Sequence, residues 1–173
     1  MYRFRHHTQF FTATILNWLP LLQSDAHKQI LLDAFRFRVN KNQVTIYAFV
    51  IMPNHFHCIW QVHDMLSREE FQRDLLKFTA RELLASLRAH NHPLLPQLQV
   101  TTSDRHWQVW ERNSLSVDLF SEPFFLQKFN YIHQNPLQPE WQLAGKPEDY
   151  YYSSANFYET GVNQFDFLTY YRE

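Results

Sequence analysis

Apolar and polar side chains alternate from Val44 to Ile51 and again from His55 to Trp60, with a Pro53-Asn54 break between the two runs. Side chains alternate faces along a strand, so each run predicts a strand and the break predicts an antiparallel hairpin. In the first, Gln43 to Ile51, the residues Val44, Ile46, Ala48 and Val50 take one side and Thr45, Tyr47, Phe49 and Ile51 the other, with both sides covered. In the second, His55, His57 and Ile59 share one face while Phe56, Cys58 and Trp60 share the opposite one. Thr8 to Leu16, rich in β-branched and aromatic residues, predicts a further strand. Trp107 to Arg112 alternates in the same way, and residues 92–103 read as a loop.

Helical spacing takes over elsewhere. Ser24-Asp25 caps a helix running to about Arg38, with Ile30, Leu31, Ala34 and Phe35 inward. Ser67 and Glu70 form a capping-box pair that opens a helix to about His90. Its inward positions are Phe71, Leu75, Phe78, Leu83, Leu84 and Leu87. Ser121-Glu122-Pro123 starts a third helix that ends near Asn135, where Pro136 disfavours continuation.

Composition narrows the class. A chain of 173 residues with 45% hydrophobic and 17% aromatic residues and 2 glycines is read as one aromatic-packed domain over 1–173, its core about 8–158 and a C-terminal extension about 159–173. The single cysteine, Cys58, excludes an internal disulfide framework; Arg3 and Arg5 stand where a signal peptide would carry its apolar segment. No run approaches the roughly 18 apolar residues of a membrane span, so the expectation is a cytoplasmic protein with no membrane partner. Net charge is −1, yet residues 1–63 balance at +4 and residues 113–173 at −5. A local basic surface is open to the first part, a strongly basic protein overall is not.

Four features carry chemistry, each with two readings. Two imidazoles on one face of an apolar strand are costly without partners, so His55 and His57 are either metal ligands lacking a third or half-exposed strand histidines. On the third helix Phe125, Phe129 and Ile132 form an apolar stripe, and Lys128, Tyr131 and Asn135 form a polar one beside it. Tyr131 and Asn135, four apart, are a nucleophile and an oxygen ligand for a hard metal, or a helix-edge tyrosine and an asparagine near the helix end. Trp107 and Trp110, with Arg105 and Arg112 nearby, either meet nucleic acid by stacking and phosphate contact or belong to the core. The charged side of the second helix is likewise a phosphate track or a solvated, ion-paired face.

Met52-Pro53-Asn54-His55-Phe56-His57, Tyr131-Ile132-His133-Gln134-Asn135-Pro136 and Tyr152-Ser153-Ser154-Ala155 together resemble, in order and spacing, the single-tyrosine HUH transposases. More closely, they are similar to the REP-associated tyrosine transposases, relatives of small insertion-sequence transposases, over roughly residues 8 to 158. The resemblance implies an α+β, ferredoxin-like antiparallel sheet with helices packed on it. Carried over residue by residue, it implies that His55 and His57 are two metal ligands, Asn135 the third, and Tyr131 the nucleophile. It implies a divalent ion, Mg²⁺ or Mn²⁺, and a single-stranded DNA substrate beside a hairpin, handled by a monomer or a homodimer. The activity implied is metal-dependent cleavage and transfer of DNA strands through a 5′-phosphotyrosine link that leaves a 3′-OH. On this reading Arg105, Trp107, Trp110, Arg112 and Lys128 are the residues expected to touch DNA. The chain departs from the pattern after Asn135-Pro136, where a small basic, glycine-containing segment is replaced by Leu137-Gln138-Pro139-Glu140-Trp141.

Two alternatives stand beside it. One is a nucleic-acid-binding domain of the same fold that no longer cuts; the other is an unrelated hydrolase built on the His pair, for which Asp64 is the nearest acid C-terminal to it.

Overall fold

The computed structural model describes residues 7–172; Arg3 and Arg5 lie outside them. Strands β1 (Gln9–Thr14), β2 (Val44–Ile51), β3 (His55–Val62) and β6 (Leu115–Asp118) form a four-stranded sheet in the order β2-β3-β1-β6. Every pairing in it is antiparallel. Helices α1 (Asp25–Asn40) and α2 (Arg68–Ala89) follow β1 and β3, and α3 (Glu122–Gln134) follows β6. This is the ferredoxin-like α+β arrangement, and it puts β3 at the centre of the sheet. Two short strands, β4 (Gln99–Thr102) and β5 (Arg105–Trp107), pair with each other, and α4 (Ala155–Thr160) lies near the C-terminus.

The sheet separates two apolar layers. Phe56, Cys58, Trp60 and Val62 of β3 pack with Leu31 and Phe35 of α1 and Phe71, Leu75, Leu83 and Leu87 of α2. Ile59, with Phe10 of β1, packs on the other side with Ile132, Phe125 and Phe129 of α3. The two faces of β3 therefore sort as the alternation predicts. Those of β2 do not, because Ile46 pairs with Trp60 and Ala48 with Ile59, leaving Tyr47 as an extra residue. The bulge reverses the pattern: Val44, Ile46, Phe49 and Ile51 face α1 and α2, whereas Ala48 and Val50 face α3.

Helix limits follow local chemistry. The Ser67–Glu70 capping box closes the start of α2, and Ser121 accepts from the Phe124 amide at the start of α3. Inside α2 the expected inward Phe78 is exposed beneath the Arg81 guanidinium, and Thr79 is buried in its place. Its hydroxyl donates to Leu75 O at 3.0 Å and so carries no unmet polarity inward. Residues 92–103 are more ordered than a loop, since they contain a short 3-10 turn and β4. The expected strand 107–112 is only partly regular: β5 ends at Trp107, and Trp110 then bridges Ile15.

The outer edge of β2 is closed by the chain's end. Ile51 N donates to Tyr152 O, Ser154 N to Phe49 O and Thr169 N to Ile46 O, so no long open edge remains there. Phe165 and Phe167, beyond the expected core limit near 158, are buried against Phe35 and Phe49. Each fully buried phenyl contributes on the order of 1.5–3 kcal/mol. Among the described residues no helix is long and apolar enough to cross a membrane.

Candidate active site

The Met52-Pro53-Asn54-His55 turn is strapped from both sides, with Met52 N bonded to His55 O, Ile15 N to Asn54 O and Leu22 N to Pro53 O, all at 2.8 Å. From it, β3 carries His55 opposite Thr14 and His57 opposite Thr12 of β1. Both rings lie on the α3 side, buried, with centroids 4.7 Å apart.

Each imidazole has its Nδ1 occupied. His55 Nδ1 lies 2.7 Å from Asn54 Oδ1, and Asn54 Nδ2 donates to Trp18 O at 3.3 Å. The second bond fixes which end of the amide faces the ring, so His55 Nδ1 carries the hydrogen and Nε2 keeps a lone pair. His57 Nδ1 lies 2.6 Å from the Thr12 hydroxyl. Burial lowers both pKa values: His55 from 6.5 to about 4, with Asn135 pulling weakly back up. His57 falls well below 6.5, with His55 and Lys128 adding to the effect of burial. Near neutrality both rings are uncharged and present lone pairs, the state a metal ligand requires.

Asn135 closes this pair from α3. It is the C-cap residue of that helix and 4% exposed. Its Nδ2 lies 3.4 Å from His57 Nε2, and its Oδ1 is buried with no hydrogen-bond partner. A half-turn of the amide exchanges those two atoms and turns the orphaned oxygen toward the imidazole nitrogens. An unpaired buried carbonyl is expensive, and a cation held between that oxygen and the two imidazole Nε2 atoms would satisfy all three. The donor set therefore fits a divalent metal. Among the described residues no group of three His, Cys, Asp or Glu side chains is placed to hold one, so the third ligand of such a site is the Asn135 amide.

Tyr131, one turn before Asn135, stands against the same histidine. Its ring centroid is 5.2 Å from that of His57 and 6.1 Å from that of Phe10, and the residue is 47% exposed. Lys128 Nζ lies 5.7 Å from the Tyr131 ring and 4.9 Å from the Phe10 ring. The polar stripe of α3 thus faces the His pair while the apolar stripe packs below it. Of the other tyrosines nearby in sequence, Tyr150 is buried and donates to Ile51 O at 2.7 Å, with burial pushing its phenol far up. Tyr152 is pushed up to about 12, chiefly by desolvation. Tyr151, between them, is 55% exposed and packs against Tyr152 and Phe165.

The remaining residues expected to meet DNA sit elsewhere. Trp110 is 6% exposed, packs edge-on against Phe56 and donates to Thr79 Oγ1 at 3.1 Å, so it has no free face for a base. This corrects the stacking role expected for it. Trp107 is half-buried under the Arg88 guanidinium at 5.1 Å. Arg105 and Arg112 both pair with Asp104, whose carboxyl is held at about 2 by the Thr102 hydroxyl and the Arg112 guanidinium. They line an open cleft of about 710 Å³ with Arg73, Lys77, Arg81 and Arg88 of α2, and none of His55, His57 or Tyr131 is in its walls.

Among the residues around the pair, Phe10, Thr12, Asn54, Trp18 and Trp141 had no role assigned from sequence, and Phe10 stacks on the His57 ring at 5.2 Å. Thr12 becomes visible only through the β1–β3 register. Trp141 lies 5.8 Å from the His55 ring, in the segment that departs from the HUH pattern.

No family model and no curated protein matches the sequence. Among solved structures, a REP-associated tyrosine transposase bound to a REP hairpin is similar over 98% of this chain and 92% of its own, with a TM-score of 0.63 and 18% identity. A candidate transposase from Deinococcus radiodurans R1 is similar over 78% of this chain and 97% of its own, with a TM-score of 0.50 and 18% identity. At that identity the likeness is one of fold.

Proposed function

We propose that this chain is a metal-dependent single-stranded DNA endonuclease and strand transferase working through a 5′-phosphotyrosine link on Tyr131. The observation that carries this reading is the buried, partnerless Oδ1 of Asn135 beside two neutral histidines, with Tyr131 against the ring of His57. His55, His57 and Asn135 are the ligands for Mg²⁺ or Mn²⁺, which when bound supplies Lewis-acid polarisation of a phosphodiester and holds it in place. Thr12 and Asn54 keep the imidazole lone pairs turned inward.

In the reaction Tyr131 Oη attacks phosphorus in line with the 3′-oxygen. The Oη–P bond forms, the P–O3′ bond breaks, and the phenolic proton is balanced by the one the departing 3′-oxygen gains. One phosphodiester replaces another, so a 3′-OH can reverse the step and rejoin strands without a nucleotide cofactor. Lys128, on the same helical stripe, has the charge and position to contact the phosphate.

The substrate follows from access. Tyr131 is half-exposed while the His pair beside it is buried, so a phosphate must reach in past the surface, which suits a bendable single strand better than a duplex. The similar-fold structure bound to a REP hairpin supports a hairpin beside the cleaved strand. Arg105, Arg112 and the α2 cations of the basic cleft, with Trp107, are second contacts for the DNA leading to the site, positioning it without reading sequence.

The test is incubation with labelled single-stranded DNA from the flanks of the chain's own gene and Mn²⁺, followed by denaturing electrophoresis. A denaturant-resistant protein–DNA adduct and a shortened 3′-OH fragment are expected. Binding with neither product would identify the non-cutting alternative.

A further inference from the structure

The turn after β1 is built in a conformation that its residues do not favour. Asn17 and Trp18, neither a glycine, both hold left-handed backbone, with φ of 53° and 57°. Such a pair persists only where the surroundings impose it. Here four hydrogen bonds do so. Leu16 N donates to Val109 O at 2.8 Å, Asn17 N to Glu111 Oε1 at 2.7 Å, Trp18 N to Ile15 O at 2.9 Å, and Asn54 Nδ2 to Trp18 O at 3.3 Å.

What this arrangement produces is an indole in solvent. Trp18 is 64% exposed, although Leu16, Leu21 and Leu22 on either side of it are buried. The core does not need it there. Its ring lies 6.4 Å from that of His55. Asn54, which holds the Trp18 carbonyl, also accepts from His55 Nδ1, so the indole and the imidazole are referred to one amide. Trp141 meets the same histidine at 5.8 Å. His55 is thus bordered by two indoles, Trp18 open and Trp141 half-buried, with Tyr131 beyond His57.

We infer that Trp18, assisted by Trp141, is a stacking platform for the unpaired DNA base next to the scissile phosphate. The inference rests on the function proposed above and adds the substrate contact that sets the position of cleavage. A base lies one sugar away from its phosphate, so a phosphate held at the His pair brings a neighbouring base to the rim where the indole stands. An indole offers a broad π-face and any base can stack on it. A paired base has both its faces covered by its neighbours and cannot. The platform therefore selects for unpaired nucleotides without selecting a base type.

The test uses the whole chain in the Tyr131→Phe background, so that nothing is cut, and measures its affinity for an oligonucleotide known to bind and for copies carrying one abasic position each. In the chain with Trp18, one or two abasic positions weaken binding by roughly ten-fold. Trp18→Ala weakens the intact oligonucleotide by a similar factor and makes it indifferent to those positions, whereas Trp18→Phe keeps most of the effect. Equal abasic penalties with and without Trp18 overturn the inference. So does a Trp18→Ala chain whose sedimentation changes while its DNA affinity does not, which would make this surface a contact between copies. The two readings fail separately. No abasic penalty in the chain that has Trp18, with a covalent adduct still formed by the Tyr131 chain, sinks the platform alone, and the penalty without any adduct sinks the cleavage chemistry alone.

Discussion

The Thr12 hydroxyl lies 2.6 Å from Nδ1 of His57, directly across the β1–β3 ladder. It holds the ring nitrogen that does not face Asn135 and so fixes the imidazole that Tyr131 leans on. Thr12→Val keeps the shape and removes the bond. Mn²⁺ affinity, read by calorimetric titration, should fall about ten-fold or more. Stability should change by no more than about 1.5 kcal/mol, the net worth of one hydrogen bond. An unchanged Mn²⁺ affinity would show that His57 needs no such support.

Buried histidines also make the metal-free chain acid-sensitive. His55 and His133 are each lowered from 6.5 to about 4 by desolvation, and His57 is lowered well below 6.5, chiefly in the same way. As pH falls through 6.5 the unfolded chain takes up protons that the folded chain refuses. For His55 and His133 stability is therefore full above 6.5 and drops until about 4, by on the order of 3 kcal/mol each. Urea midpoints in EDTA should decline across this window. His133→Gln, which can keep the link to Ser154 Oγ, should remove its share of the slope; a profile flat from 6.5 down to 4 would refute the assignment.

Trp110 and Arg112, neighbours in one expected DNA-contact set, should respond in opposite ways. Trp110→Ala empties a core position beneath Phe56 and strands Thr79, which should cost about 3–5 kcal/mol in urea unfolding. Arg112→Ala removes an exposed ion pair with Asp104 and should leave the urea midpoint nearly unchanged while weakening DNA binding, more so at low salt. A Trp110→Ala chain of full stability would return that indole to the surface.

The contrast between β3, which carries both histidines, and its neighbour β2 explains what the sequence could disclose. On β3 an unbroken two-residue period sorts His55 and His57 from Phe56 and Cys58 without any knowledge of neighbours. On β2 the period is equally clear, but the extra residue at Tyr47 depends on pairing with β3, which no local pattern records. The pairing of β4 with β5 was hidden by Pro93 and Pro96, and β6 by its short, largely exposed Leu-Ser-Val-Asp run. For the site, the spacing of Tyr131 and Asn135 was legible because one helix carries both. Thr12 and Trp18 were not, because their relation to the histidines is set by register and by a strapped turn far away in sequence. Trp110 misled for the opposite reason: alternation marks an aromatic strand residue but does not say which of its faces meets the core.

Tyr131 and Asn135 should separate chemistry from metal binding. Tyr131→Phe removes one oxygen from a half-exposed ring that packs beside His57, Phe10 and Lys128, so the fold should hold while covalent attachment disappears at every Mn²⁺ concentration. Asn135→Ala keeps the nucleophile and deletes one ligand of three. It removes a buried carbonyl that has no partner together with the Nδ2 contact to His57 Nε2, two opposing effects, so stability without metal should change by no more than about 1.5 kcal/mol. Adduct formation should then be weak at low Mn²⁺ and recover in part at high Mn²⁺, because a weakened site refills by mass action. Denaturing electrophoresis across a Mn²⁺ series reads both variants on one gel. An adduct in the Tyr131→Phe lanes would mean another nucleophile, and an Asn135→Ala chain as Mn²⁺-responsive as the wild type would remove Asn135 from the ligand set.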